Sequence, residues 1–414
     1  MATQNRILSL SNLIATNTGR ISAYLEQHGL PTPSLDQNAP GIPLPDSAPD
    51  EIKTLRTELI DACSELKDLI TGPKDLMRFN WTTWVSIKVI LRFNLDLSFR
   101  IGETTTFEEM AKVSGLSVQN VTRIVRHAIL NHQFFEEREA GKVVHSGCSA
   151  YLQRDEYARH GLVCYLDEFW PASVRTADAL EKWPDSEENT DTGFALANDG
   201  KSLYEVLAEF PERGKKFGLA MANADEDPKF LIEAYPWAEH KTVVDIGGSH
   251  GSIMIDIARR FPHVTCVVQD LPHVVEAGQR LLPSELHDRI SFQAHDFFTP
   301  QDVEADVYYL RSILHNWADK YSLLILKDLI PALKPGSRVL IHERMLPDHG
   351  TVALPEYKRA IDLDVGMLEL LNAKQRSVQD WKELFASADG RYVFLGARQP
   401  KGATRWIIEA EWKG

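Results

Sequence analysis

Cysteine is scarce in this 414-residue chain. Cys63, Cys148, Cys164 and Cys266 are scattered, with no CxxC pair, which argues against a zinc ribbon or a secreted disulfide framework and leaves no metal site to expect. Long apolar runs are missing: no stretch reaches the ~18 residues that would span a bilayer. The start, MATQNRILSLSNLIATNTGRIS, has no basic stretch leading into an apolar run and a cleavage site. The expectation is a reduced, cytoplasmic protein with no membrane partner. Positive charge is in deficit, with 45 Lys and Arg against 59 Asp and Glu and a net charge of −14. Sequence-independent nucleic-acid affinity comes from cations that displace counterions, so nucleic acid is not the expected partner. GxGxxG and a Walker lysine are both absent, and nothing recurs at a period of 20–50 residues, which argues against a solenoid.

What is present is an ordinary globular composition. Hydrophobic residues are 43% and charged ones 25%, and a chain of this length buries roughly 75% of its unfolded surface. At ~100–200 residues per domain, two or three units are expected. Ile7, Leu10, Leu13, Ile14, Ile21 and Leu25 recur near a 3.6-residue period and predict a first helix. Prolines at 31, 33, 40, 43, 45 and 49 then make 31–49 a linker or extended arm. Residues 1–75 are read together as an N-terminal helical arm.

Residues 76–150 carry a recognisable order of elements. Thr106 opens a capping pattern, TFEE, before Met110 and Ala111. After the turn SGLS, Val121, Ile124, Val125 and Ala128 line one face of a second helix, and FFEERE–AG–KVVHS reads as two short strands. Helix, turn, helix and wing predict a winged helix. Arg123, Arg126 and His127 suit DNA phosphates, but Glu103, Glu108, Glu109, Glu136, Glu137 and Glu139 crowd the same region, which favours a scaffold. Residues 151–235 read as a helical connection with a soft polar joint at DSEENTDTGF.

From 236 to 414 the grammar changes. TVVDIG, VTCVVQ, ADVYYL and SRVLIHE alternate with helical stretches, and RYVFLGAR and TRWIIEAEW flank QPKGA. The fold class expected is α/β, a mostly parallel sheet with helices on both faces and a C-terminal hairpin. VVDIGGSHG runs an apolar strand into Asp245, Gly247, Gly248 and Gly251, where absent Cβ atoms let a backbone approach a ligand. Asp270 ends the next strand, where ribose hydroxyls lie in a doubly wound sheet. Asp296 and Phe297 end a third, placed to hold and stack on an adenine. Asp245 alone also fits a turn residue and Asp270 alone a helix cap; the three acidic strand ends together point to a nucleotide-like ligand.

DIGGSHG…QDLPHV…HDFF…LRSILHNW resembles the class I methyltransferases that use S-adenosylmethionine, specifically natural-product O-methyltransferases of the caffeic acid and sterigmatocystin type. The resemblance covers nearly the whole chain, since those enzymes place a winged-helix dimerisation domain before a Rossmann-like methyltransferase domain. It implies S-adenosylmethionine as cofactor, with Gly247 and Gly248 at its amino-acid portion, Asp270 at the ribose, Asp296 and Phe297 at the adenine, and Arg311 close by. It also implies a homodimer. The family's DxGGGxG is DIGGSHG here, with Ser249 in place of the third glycine.

Methyl transfer to oxygen calls for a proton acceptor. A phenol with pKa about 10 is protonated at neutral pH, whereas a neutral imidazole accepts its proton and contributes ~10²–10⁴-fold. His315, in RSILHNW, is the candidate base, although a lone histidine more often is structural. Such a base needs an acceptor to orient its other ring nitrogen, and the resemblance gives that role to Glu343 beside it, while His342, one residue earlier, faces the other way and is read as structural. A second family glutamate, in a pattern like GKERT, is Gln375 here, in NAKQRS. An amide stabilises an imidazolium less than a carboxylate does. Phe217 and Met221, then Met367 and Leu371, are candidates for an apolar acceptor cavity, and each equally fits an ordinary helix core.

The function expected is transfer of a methyl group to a phenolic or enolic hydroxyl of a small, aromatic or polyketide-like secondary metabolite. The altered glutamate leaves open a cofactor-binding relative that catalyses a pericyclic or dehydration step. A DNA-binding regulator and a nicotinamide oxidoreductase are weaker alternatives.

Overall fold

The computed structural model describes residues 5–78, 80–223 and 226–414. They form two compact units. The first comprises Met1–Glu168 with Glu212–Asn223 and Ala353–Pro355, and the second Phe169–Pro211, Ala224–Val352 and Glu356–Gly414. The stretch 151–235, expected as one helical connection, is therefore divided between them.

In the first unit, the helix Arg6–Gln27 starts at Asn5, whose side chain accepts the Ile7 and Leu8 N–H groups. It packs on the helix Asp50–Leu76, which breaks at Gly72–Pro73. The proline-rich stretch between them docks rather than hangs loose. Leu44 and Ala48 bury against Leu25, and the Gly147 N–H donates to the Leu35 carbonyl at 2.6 Å. Proline fixes an extended backbone that needs no ladder of its own, so apolar residues between prolines are free to pack.

The wing region follows the sequence pattern. Strand β1 (Thr105–Thr106) precedes the helices Phe107–Ser114 and Val118–His132, then β2 (Glu136–Glu139) and β3 (Lys142–Val144), in sheet order β1-β3-β2. Thr106 and Glu109 form the expected reciprocal cap. Val121, Val125 and Ala128 are fully buried. Arg126, read as able to meet phosphate, is paired with Glu137 at 2.7 and 2.8 Å, and His127 meets the Ser86 hydroxyl at 2.9 Å.

The second unit is built on a seven-stranded sheet. Its strands are β4 (Thr242–Ile246), β5 (Thr265–Asp270), β6 (Ile290–Ala294), β7 (Val307–Arg311), β8 (Arg338–Glu343), β9 (Tyr392–Arg398) and β10 (Trp406–Trp412). The order is β6-β5-β4-β7-β8-β10-β9, parallel except for β10, which runs antiparallel to both β8 and β9. The chain reverses its direction of strand addition between β4 and β7, the switch point at which such sheets open a ligand crevice. Both faces are covered, so the central strands read as continuous apolar runs. Val339 and Ile341 of β8 pack into the cluster holding Trp381 and Phe385, and Leu340 into the opposite one holding Trp237 and Tyr309. That period of two puts Glu343 on the first face and His342 on the second.

DSEENTDTGF, expected as a soft joint, is pinned within this unit. The Glu188 carboxylate accepts from Lys320 and the Tyr321 hydroxyl, and the Asn372 amide donates to the Ser186 carbonyl at 2.7 Å. Among the described residues, no helix is long and apolar enough to cross a membrane.

Candidate active site

The glycine turn leaves β4 through left-handed backbone. Gly247 sits at φ +68°, and a Cβ there would lie 2.5 Å from the Ile313 Cδ1. A Cβ on Gly248 would strike the carboxylate of Asp245. These glycines are thus demanded by packing inside the protein, as well as suiting the close approach read from the sequence. Ser249 also adopts left-handed backbone, φ +52°, where a Cβ is unfavourable. Burial pushes the Asp245 carboxyl up to about 7, against the pull of Arg311.

Asp270 ends β5 with both carboxylate oxygens engaged by backbone. The Ser249 N–H donates to Oδ2 at 2.9 Å and the Leu271 N–H to Oδ1 at 2.8 Å. Each oxygen retains a second lone pair for a hydroxyl donor. Asp296 is exposed and accepts the Phe298 N–H at 3.0 Å. The Phe297 ring approaches the Gly247 position to 3.9 Å and meets the Trp317 ring edge-on, centroids 6.0 Å apart. Gly247, Gly248, Asp270 and Phe297 are therefore gathered at one end of the sheet, with Arg311 ending the adjoining β7.

Beyond Arg311 the chain makes a short turn at Leu314–Asn316 that carries His315. Glu343 reaches this turn through the backbone. Its Oε1 accepts the N–H groups of Ile313 at 2.9 Å, Leu314 at 2.7 Å and His315 at 3.3 Å. No hydrogen bond joins its carboxylate to the His315 ring, which corrects the expectation that Glu343 orients the imidazole directly. The Glu343 side chain is fully buried, and burial pushes its carboxyl up to about 7 in spite of Arg376 and the three donors.

The ring partner is Gln375. Its Nε2 stands 3.0 Å from His315 Nδ1, and its Oε1 is buried with no hydrogen-bond donor. The Gln375 backbone N–H donates to Asp364 Oδ1 at 2.7 Å. His315 is densely surrounded and partly exposed. Burial, then Arg405, Arg376 and Arg344, push its imidazole down to about 3, so it is neutral over the whole ordinary pH range. His342 lies on the other face, as expected, and meets the Tyr309 hydroxyl at 2.9 Å.

Met367 and Leu371 are buried on the helix Leu354–Leu371 of the second unit. Phe217 and Met221 lie on the helix Pro211–Asn223 of the first, Phe217 half-buried and Met221 exposed. Sequence reasoning passed over Asp364 and Arg376. The Arg376 guanidinium is completely buried and donates to the Leu314 and Trp317 carbonyls at 2.8 and 2.9 Å. A cation within NAKQRS, adjoining the expected ring partner, was the available signal.

The two halves of the site meet at Ile313. Its side chain closes over Gly247 while its N–H is held by Glu343, two residues before His315.

Residues 184–390 match the O-methyltransferase domain family. The chain is 35% identical over 421 residues to O-methyltransferase AMT9 of Alternaria alternata, covering 99% of this chain and 98% of that one. It is 35% identical over 418 residues to the grayanic acid biosynthesis cluster O-methyltransferase of Cladonia grayi, covering 99% and 88%. The crystal structure of OxaC matches with a TM-score of 0.80 at 20% identity over 98% of this chain and 99% of that one, a likeness of fold.

Proposed function

The chain belongs to the O-methyltransferase family, and on that premise we propose that His315 is the general base for methylation of a phenolic or enolic hydroxyl on a small secondary metabolite. The cofactor is S-adenosylmethionine, which when bound supplies a sulfonium methyl group that needs no further activation. The observation that carries the reading is the junction at Ile313, which fastens the turn bearing His315 to the glycine turn.

The residues fit the cofactor. Asp270 has lone pairs left for ribose hydroxyls, and a neutral donor there adds no buried charge. Gly247 and Gly248 offer backbone groups at the amino-acid end, Asp296 and Phe297 suit the adenine, and Arg311 ends the neighbouring strand. His315, neutral in the free protein, takes the hydroxyl proton as the oxygen attacks. For its Nε2 to accept, Nδ1 must carry the hydrogen. The Gln375 amide then turns its carbonyl oxygen toward Nδ1, which gives that buried oxygen the donor it otherwise lacks. With an amide and not a carboxylate at the ring, and three arginines around it, imidazolium is costly. The reading therefore favours an acceptor more acidic than a simple phenol. Met367 and Leu371 line its apolar side.

The test is incubation with S-adenosylmethionine and a panel of phenols and enols. S-adenosylhomocysteine should appear in step with a product heavier by one methylene. In His315→Ala, turnover should fall ~10²–10⁴-fold with S-adenosylhomocysteine affinity unchanged; unchanged turnover removes His315 from the chemistry. A product of unaltered mass, formed without S-adenosylhomocysteine, would instead support a pericyclic or dehydration step, the reading that Gln375 alone favours.

We also infer a cytoplasmic homodimer formed through the first unit. Met77, Trp81 and Leu130 are 83, 72 and 79% exposed there, large apolar side chains of the kind an interface covers, and all four cysteines are free. Light scattering and cell fractionation test the two parts.

A further inference from the structure

We propose that Arg376 is a positioning residue for the proposed base, holding the His315 turn by its carbonyl oxygens while Glu343 holds it by its N–H groups. The inference rests on the reading of His315 as general base. A turn of three residues cannot fix a side chain by its own hydrogen bonds, because too few close within it. Here the polar groups are handed to two buried side chains, a carboxyl that accepts and a guanidinium that donates. Glu343 Oε1 gathers the N–H groups of Ile313, Leu314 and His315. Arg376 gives one terminal nitrogen to the Leu314 carbonyl at 2.8 Å and the other to the Trp317 carbonyl and the Ser322 hydroxyl, both at 2.9 Å. Its Nε donates to Asp319 Oδ1 at 2.9 Å.

The choice of residue type argues for a role beyond filling space. A fully buried guanidinium is expensive to desolvate, and an apolar side chain of similar volume often serves stability as well or better. A planar fork with five donors, however, reaches two carbonyls at fixed spacing, which neither lysine nor methionine reproduces. Arg376 also follows Gln375 directly, so the segment that brings the ring partner brings the clamp. The Leu346 N–H donates to the Arg376 carbonyl at 3.0 Å and the Gln375 N–H to Asp364 at 2.7 Å, tying that segment on both sides. A shift of the turn would carry the imidazole away from Gln375 and from the acceptor together.

The experiment is steady-state kinetics of Arg376→Lys, alone and combined with His315→Gln. Arg376→Lys keeps the charge and loses the fork. The expected result is a ~10–100-fold fall in kcat, the size that misplacement of a reacting group produces, with acceptor KM and S-adenosylhomocysteine affinity changed less than about twofold. In the His315→Gln background the same substitution should leave the residual kcat unaltered, since the clamp acts only through the ring. An equal fall in both backgrounds, or no fall in either, overturns the proposal. If His315→Gln alone keeps full turnover, the base reading itself fails, a distinguishable outcome. Should Arg376→Lys not fold by circular dichroism, Asp319→Ala replaces it. That change frees one side of the guanidinium at a partly exposed carboxylate. A several-fold loss of kcat confined to the His315 background supports the clamp, and unchanged kcat overturns it.

Discussion

The amide of Gln375 stands 3.0 Å from Nδ1 of His315. A neutral group thus occupies the position from which a carboxylate would stabilise an imidazolium. Replacing Gln375 with Glu should raise the imidazole pKa by ~1–3 units, as an opposite charge at that distance does. The acid limb of kcat/KM should move up in pH, and kcat toward weakly acidic phenols should rise. A pH–rate profile of both proteins on one acceptor checks this, and coincident profiles would detach Gln375 from the proton transfer.

Glu343 makes a prediction about stability of definite sign. Its carboxyl is held up to about 7 by burial, above its ordinary value of 4.5. The folded protein therefore keeps a proton that the unfolded chain releases between about 4.5 and 7. The stability associated with this group is fully present below pH 4.5 and is lost as pH rises through 7. Glu343→Gln removes that dependence and retains one carbonyl oxygen for the turn. The difference in unfolding free energy between wild type and variant should decline with rising pH across this window, by at most about 1.4 kcal/mol per pH unit. Urea unfolding at a series of pH values measures it.

Asp270→Ala should weaken S-adenosylhomocysteine binding by ~10-fold or more, one to two hydrogen bonds to a charged acceptor being worth ~1.5–3 kcal/mol each. Part of the loss is local, because the Ser249 and Leu271 N–H groups lose their acceptor. Calorimetric titration gives the affinity, and an unaltered value would move the ribose elsewhere.

Ser249 is an exposed non-glycine residue at φ +52°. Left-handed backbone costs an L-residue roughly 1–2 kcal/mol, partly offset by the greater freedom glycine has when unfolded. Ser249→Gly should stabilise the second unit by ~0.5–1 kcal/mol while leaving the Asp270 contact intact, since that contact uses the backbone. Denaturant midpoints would register the gain.

Much of the site was written in local pattern. Strand β4 and its glycine turn, the acidic end of β5, and the opposite faces of His342 and Glu343 follow from periods of two and from residues without Cβ, and those are properties of neighbours in sequence. The roles within the site were less legible. The family resemblance gave Glu343 the role of partner to the imidazole, yet its acceptor oxygen is taken by three N–H groups about thirty residues away. Arg376 was passed over in the sequence because its acceptors lie 57 to 62 positions distant. The proline-rich arm and DSEENTDTGF have loop composition, and only distant partners, Leu25 for one and Lys320, Tyr321 and Asn372 for the other, convert them into fixed structure.

The sequence by itself therefore determined the sheet, its glycine turn and the chemical inventory of imidazole, amide, carboxylate and guanidinium, because backbone propensity and side-chain alternation act over a few residues. Tertiary structure alone decided which of those groups grip the His315 backbone and which meets its ring. It also decided which carboxyls hold protons near neutrality. Burial and hydrogen-bond partnership are set by whatever the fold brings within about 3 Å, and no local pattern encodes that.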